Sequence, residues 1–331
     1  LKEGKGDPFR ITGLALAMLK DATIEAEFLL VHNAKNGYFD PEYYSSDQFS
    51  LPAVGVIIDG DKYFAFPYLK YLDINYTPEF LQGSQALVIE ETIFQNNYEL
   101  PDMAEFWILP SESKIPNYVT ENYDLQIDDE GLIVIQEEKI LNCSAAYYVR
   151  KAIDKLNEDE KEKFIDEILT YNDGEISDLS FEILSLEEYK EPLRIILNYR
   201  IDNLVTVTPD EVIFQTGGLL SPVSMKKHKI AKEERKNPIR IYYDQTYNKN
   251  INIHYPATWE LETALPEINY ENDLGSVQGE YTVSANNIQI NQSCLLKKSS
   301  KPKEKITELV EISGENAKIN IPILIFTVRK E

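Results

Sequence analysis

The chain has 331 residues, 33 basic against 56 acidic side chains, a net charge of −23, two cysteines and three histidines. That acid excess excludes a general polyanion or nucleic-acid binder, because attraction to phosphate needs surplus Lys and Arg. A hydrophobic content of 43% is that of a folded chain rather than a disordered one. No apolar run approaches the roughly 18 residues that signal a membrane-spanning helix. Cys143 and Cys294 are too few and too far apart for a disulfide scaffold or a Cys-rich zinc site, and His32, His228 and His254 are scattered, so no metal or cofactor is expected.

In chain order, Asp7-Pro8 is an N-cap followed by proline at the first helical position. The helix runs from Phe9 to Lys20, with Ile11, Leu14, Ala15, Met18 and Leu19 at helical spacing. Ile24 to Val31 alternates as a half-buried strand, and a polar, aromatic loop covers 33–50. Ala53 to Ile58 and Lys62 to Phe66 read as a hairpin closed by Asp59-Gly60. A helix followed by an antiparallel meander is an α+β pattern. Further on, Tyr123 to Ile127 and Leu132 to Leu141 flank the turn Asp128-Asp129-Glu130-Gly131, which lacks the spacing of a calcium loop. Helices are predicted over Ala145 to Leu156 and Glu158 to Leu169, the second capped by Asn157. Strands follow at Ser180 to Leu184, Leu193 to Asn198 and Glu211 to Gln215. The last third reads as strand and turn: 239–243, 250–255, 279–283, 288–296 and 321–328, with a short helical stretch at 304–308. Short strands separated by turns suggest β-sandwiches.

The acidic excess falls almost wholly before residue 235, leaving 236–331 close to neutral. Such a shift, together with the polar, basic stretch 226–238 and the Pro110 to Pro116 turn region, divides the chain into 1–112, 113–228 and 229–331.

Several segments are similar to a known family. Gly6-Asp7-Pro8, Ala17-Met18-Leu19-Lys20, Phe49-Ser50-Leu51, the Asp59 to Tyr63 hairpin leading to Phe66-Pro67, and Leu81 to Val88 resemble, in that order, the transglutaminase-like branch of the papain-type cysteine enzymes. Ala145 to Arg150, Glu191-Pro192-Leu193, Asn237 to Arg240, Trp259-Glu260-Leu261 and Gly279-Glu280-Tyr281 extend the resemblance to bacterial envelope proteins whose core is flanked by β-rich domains. The resemblance implies a truncated α+β core followed by two mainly-β domains, the first with inserted helices. It also implies a periplasmic or cell-surface location, in a Gram-negative bacterium of the Bacteroidota kind. The chain would be the C-terminal portion of a longer protein, with that protein's N-terminal portion as one partner.

The departures from the family pattern decide the expected chemistry. Pro8 stands at the nucleophile position, Leu51 at that of the histidine and Phe66 at that of the carboxylate. Thiol acyl transfer needs a thiolate, an imidazole and a group to orient it. Proline, leucine and phenylalanine supply none of these, so no catalytic residue is expected and the chain reads as a pseudoenzyme. A relocated Ser-His-Asp set from His32, Ser50, Asp40 and Asp47 is the competing reading, against ordinary strand-end and loop residues. The aromatics Tyr38, Phe39, Tyr43, Tyr44, Tyr68 and Tyr71 are a candidate surface for a peptide or glycan. They equally suit packing over the sheet. The functional expectation is a noncatalytic binding or scaffolding protein of the cell envelope. The alternatives are an accessory subunit of an outer-membrane complex, or a hydrolase using residues outside this chain.

Overall fold

The computed structural model describes residues 6–34, 37, 39–40, 42, 45–89, 105–112, 115–168, 175–216, 218–221, 239–302 and 305–329. Contacts divide the chain into two units, 1–116 and 117–331.

In the first unit, α1 (Pro8–Asp21) begins as its sequence requires: the Asp7 side chain accepts from the Arg10 amide at 3.0 Å. β1 (Ala26–His32), β2 (Phe49–Ile58), β3 (Asp61–Ala65), β4 (Gln85–Ile89) and β5 (Phe106–Ile108) form an antiparallel sheet in the order β3-β2-β1-β4-β5. β2 starts four residues before the predicted strand and passes through Pro52. The missing N–H is tolerated there because β3 flanks β2 only from Val54 onward.

The sheet curls until its two end strands approach. Lys62 of β3 reaches Glu105 at 3.7 Å and lies 4.0 Å over the Trp107 ring of β5, while Phe64 meets Trp107 edge-on at 6.1 Å. Inside the curl lies a core of Leu29, Val31, Ala53, Leu81, Ala86, Val88, Trp107 and Leu109. Gly55 is required by this packing: a Cβ there would sit 2.3 Å from Trp107 Cζ3. The outer face takes α1, whose Phe9 stacks on Phe28 at 6.4 Å.

The second unit contains β6 (Tyr118–Ile127), β7 (Ile133–Leu141), α2 (Cys143–Ile153), α3 (Glu158–Ile168), β8 (Glu175–Leu184), β9 (Leu193–Asp202), β10 (Val205–Val207) and β11 (Glu211–Gln215). It continues with β12 (Ile239–Ile241), β13 (Gln245–His254), β14 (Trp259–Leu261), β15 (Ile268–Asn272), β16 (Gly275–Ser284), β17 (Asn287–Leu296), β18 (Ser299–Lys301), α4 (Ile306–Ala317) and β19 (Ile323–Val328). Asn157 caps α3 reciprocally with Glu160, each side chain accepting from the other's amide at 3.0 Å.

Eight strands form one long sheet, β15-β16-β17-β13-β6-β7-β9-β8. Its alternating residues Leu125, Ile133, Ile135, Leu193, Leu197 and Ile201 turn inward and are buried. Each such side chain contributes about 1.5–3 kcal/mol. They pack on Val212, Phe214, Leu324 and Phe326 of a second sheet, β10-β11-β19-β14. Towards the β15 end, α4 and the β12–β18 pair cover Val277, Cys294 and Leu296 through Leu309, Ile312, Ile239 and Ile241.

One expectation is revised. Among the described residues strands take 47% and helices 19%, with four α-helices, so the protein is mostly β rather than built on an α+β transglutaminase-like core. The predicted first helix exists and packs on the outside of the curled sheet. The expected boundary at 228/229 lies outside the described residues, and strands on both sides of it share the long sheet through the parallel pair β6–β13. Among the described residues, no helix is long and apolar enough to cross a membrane.

Candidate functional site

The three positions of interest in the first unit do not converge. Leu51 lies on β2 opposite Val31, and both Leu51 and Phe66 pack against the interior cluster of the curl. Pro8 is exposed at the start of α1, which lies on the other side of the sheet against Phe28. Side chains alternate between faces along a strand, so Phe28 on the outside and Leu29 on the inside place Pro8 and Leu51 across the sheet from each other. An imidazole at 51 would point into the core and away from a thiol at 8.

His32 ends β1 and is buried. Its Nδ1 lies 2.8 Å from the Gln48 carbonyl oxygen and its Nε2 lies 3.3 Å from that of Gly37. Carbonyl oxygens only accept, so whichever ring nitrogen carries the proton donates and ties the loop to the strand end, and both nitrogens face backbone oxygens rather than Ser50. Asp40 Oδ1 accepts from the Glu42 amide at 2.9 Å in a local turn, and Asp47 and Ser50 are exposed. The relocated Ser-His-Asp set is therefore not assembled.

Among the candidate aromatics, Phe39 is half-buried and packs with Phe49, Phe106 and the His32 ring at centroid distances of 5.5, 5.9 and 5.9 Å. Tyr68 and Tyr71 are half-buried in the turn after β3, with Lys70 Nζ 4.9 Å from the Tyr71 ring centroid. Tyr38, Tyr43 and Tyr44 lie outside the described residues. Sequence reasoning missed an apolar groove of about 580 Å³ on the outer face of β2 and β3. It is lined by Leu19, Ile24, Val56, Ile58, Tyr63 and Ile74, and Ile74 is 70% exposed. Its signal in the sequence is Ile58 and Ile74 standing at turn edges, where water-facing residues are the norm.

A buried charge set of the second unit sits on the covered face of the long sheet. Glu137 is fully buried, accepts from Tyr199 Oη at 2.8 Å and pairs with Lys139 at 2.9 Å; Lys139 also lies 3.6 Å from Glu121. Lys249 is buried beside them, donating to the Ser221 carbonyl at 3.3 Å with its Nζ 5.2 Å from the Tyr123 ring centroid. Burial pulls Lys139 downward, but Glu137 and Glu121 outweigh it and hold the ammonium above its ordinary value. Burial dominates at Lys249 and pushes it below. Two acids and two bases balance, making this a neutral polar core. Both cysteines are buried and free of disulfides, and burial pushes the Cys294 thiol up to about 12.

These features define a mainly-β protein of two units with no assembled thiol centre among the described residues. Residues 213–325, from β11 to β19, match a family described as a domain of unknown function with a solved structure, DUF3858. A solved structure described as a putative protease from Parabacteroides distasonis ATCC 8503 is similar over 99% of this chain, at 13% identity and a TM-score of 0.48. The similarity covers 45% of that protein, so this chain spans less than half its length. No curated protein matches.

Proposed function

We propose that this chain is a noncatalytic binding protein of the bacterial cell envelope, holding a ligand or a partner without turning it over. The observation that supports this reading is the separation of Pro8 from Leu51 and Phe66 by the β1–β2 sheet. A nucleophile and its base must come within about 3 Å, and residues on opposite faces of one sheet cannot. The carboxylate-bearing loop beside His32 offers no substitute, because the imidazole is engaged with two carbonyls. The apolar groove beside Ile58 and Ile74 supplies ligand-facing surface instead. The envelope location rests on the sequence resemblance alone.

The test is turnover. The chain and a Cys143→Ala/Cys294→Ala variant are incubated with casein and a fluorescent primary amine, and both amine incorporation and new amino termini are measured. The expected result is no signal above buffer for either protein. Turnover by the native chain, whether or not the thiol-free variant keeps it, would overturn the proposal.

A further inference from the structure

The uncovered face of the long sheet carries a lattice of carboxamides. On β13 the outward residues 248, 250 and 252 are all Asn. In register on β6 stand Thr120, Asn122 and Asp124, and on β17 stand Ser293, Asn291 and Gln289. Gln136 and Glu138 of β7 extend the two central rows, and Arg194 of β9 borders them. All of these but Thr120, Asn248 and Ser293 line an open concavity of about 470 Å³.

Asn is disfavoured in strands, and an ordinary solvated face would use Thr or Lys, so this concentration calls for a cause. Part of the lattice is fixed by a chain of hydrogen bonds. Arg194 Nε donates to Glu138 Oε1 at 2.7 Å, Asn122 Nδ2 donates to Glu138 Oε2 at 3.1 Å, and Asn250 Nδ2 donates to Asn122 Oδ1 at 2.8 Å. Beside this rigid row, the amides of Asn252, Gln136, Gln289 and Asn291 make no hydrogen bond among the described residues. The result is a preorganised, half-satisfied polar surface.

The chemistry of the occupant follows from charge and hydrogen-bonding capacity. Arg194 is neutralised by Glu138, and Asp124 faces His254 at 3.5 Å. No surplus cation is left for an anion. A protein partner needs apolar or aromatic anchors, yet Ile196 is the one apolar side chain facing outward among the residues lining the concavity. A carboxamide presents donors and an acceptor side by side, and a hydroxyl likewise both donates and accepts. We propose that this concavity binds an uncharged oligosaccharide segment. The site lies within the second unit, and its test does not depend on whether the chain is catalytic.

The full chain is run through native gels containing galactomannan, mixed-linkage β-glucan, arabinoxylan or dextran, with polygalacturonate as the anionic control. At least one neutral polysaccharide is expected to retard it. The Asn252→Ala/Gln289→Ala variant is expected to lose that retardation by about tenfold in apparent affinity with an unchanged melting curve, since neither side-chain amide makes a hydrogen bond among the described residues. Retardation by polygalacturonate alone, by no polysaccharide, or equally for the variant would overturn the proposal. So would a concentration-dependent dimer, seen by light scattering, that the variant abolishes, because the face would then belong to a second copy.

Discussion

Replacing Glu137 with Leu tests the balance of the buried charge set in the second unit. The wild-type cluster holds Glu121 and Glu137 against Lys139 and Lys249. Glu137→Leu removes the 2.9 Å partner of Lys139 and the acceptor of Tyr199 Oη, and it leaves two buried ammonium groups with one carboxylate. Breaking a buried pair in this way costs about 3–5 kcal/mol. Urea unfolding followed by Trp259 emission, in a Trp107→Phe background that leaves one tryptophan of the two, reads the second unit alone. With a slope of about 3 kcal/mol per M, the midpoint should fall by about 1–1.7 M. Lys249→Met alone should also destabilise, whereas Glu137→Leu/Lys249→Met restores charge balance and should recover most of the loss. The signs with pH are opposed. Lys139, held above its ordinary value, adds stability below about pH 10.5 that is lost as pH rises through its raised folded value. Lys249, held below its ordinary value, costs stability at low pH and gives it back as pH rises from its depressed folded value toward about 10.5. A double variant as unstable as the sum of the two singles would refute the balance.

Gly55→Ala should destabilise the first unit by about 1–3 kcal/mol through overpacking against Trp107, read as faster amide exchange along β1. Adding Trp107→Leu should relieve part of that cost. Arg150 donates from one guanidinium nitrogen to the carbonyls of Ser185, Glu188 and Glu191 at 2.9, 3.1 and 2.8 Å. Arg150→Leu should therefore cost about 3 kcal/mol and speed amide exchange over 185–191 first. Cys294, raised from about 9 to about 12, keeps its proton in the fold while the unfolded thiol ionises. Stability should fall as pH rises through that window by up to about 1.4 kcal/mol per pH unit, a slope that Cys294→Val removes.

Local features were legible in the sequence where they depend on neighbours in the chain. Asp7-Pro8 located the first helix, Asp59-Gly60 its hairpin and Asn157 the cap of α3. The architecture was hidden because it depends on distant residues. The parallel pair of β6 and β13 joins residues about 130 apart, Asn122 with Asn250 among them, and no local pattern announces it. The curl that brings Lys62 over Trp107 is equally invisible, although Gly55 within an apolar strand hinted at a close approach. Motif order placed Leu51 and Pro8 in one site, but the parity of Phe28 and Leu29 puts them on opposite faces. The carboxamide lattice was readable in part: Asn248, Asn250 and Asn252 stand at every second position, as do Gln289 and Asn291. What was missing was the register that lays these strands side by side.

The proposed noncatalytic reading is tested most directly by disulfide trapping. Cysteines are placed at 8 and 51 in the Cys143→Ala/Cys294→Ala chain and oxidised with copper phenanthroline, with a Val54→Cys/Ala65→Cys pair across β2 and β3 as the positive control. Disulfides require Cα atoms within about 7 Å. The control pair should close, while Pro8→Cys/Leu51→Cys stays reduced because the β1–β2 sheet lies between the two thiols. Efficient closure of the 8–51 pair in the folded protein would contradict the separation and with it the noncatalytic reading.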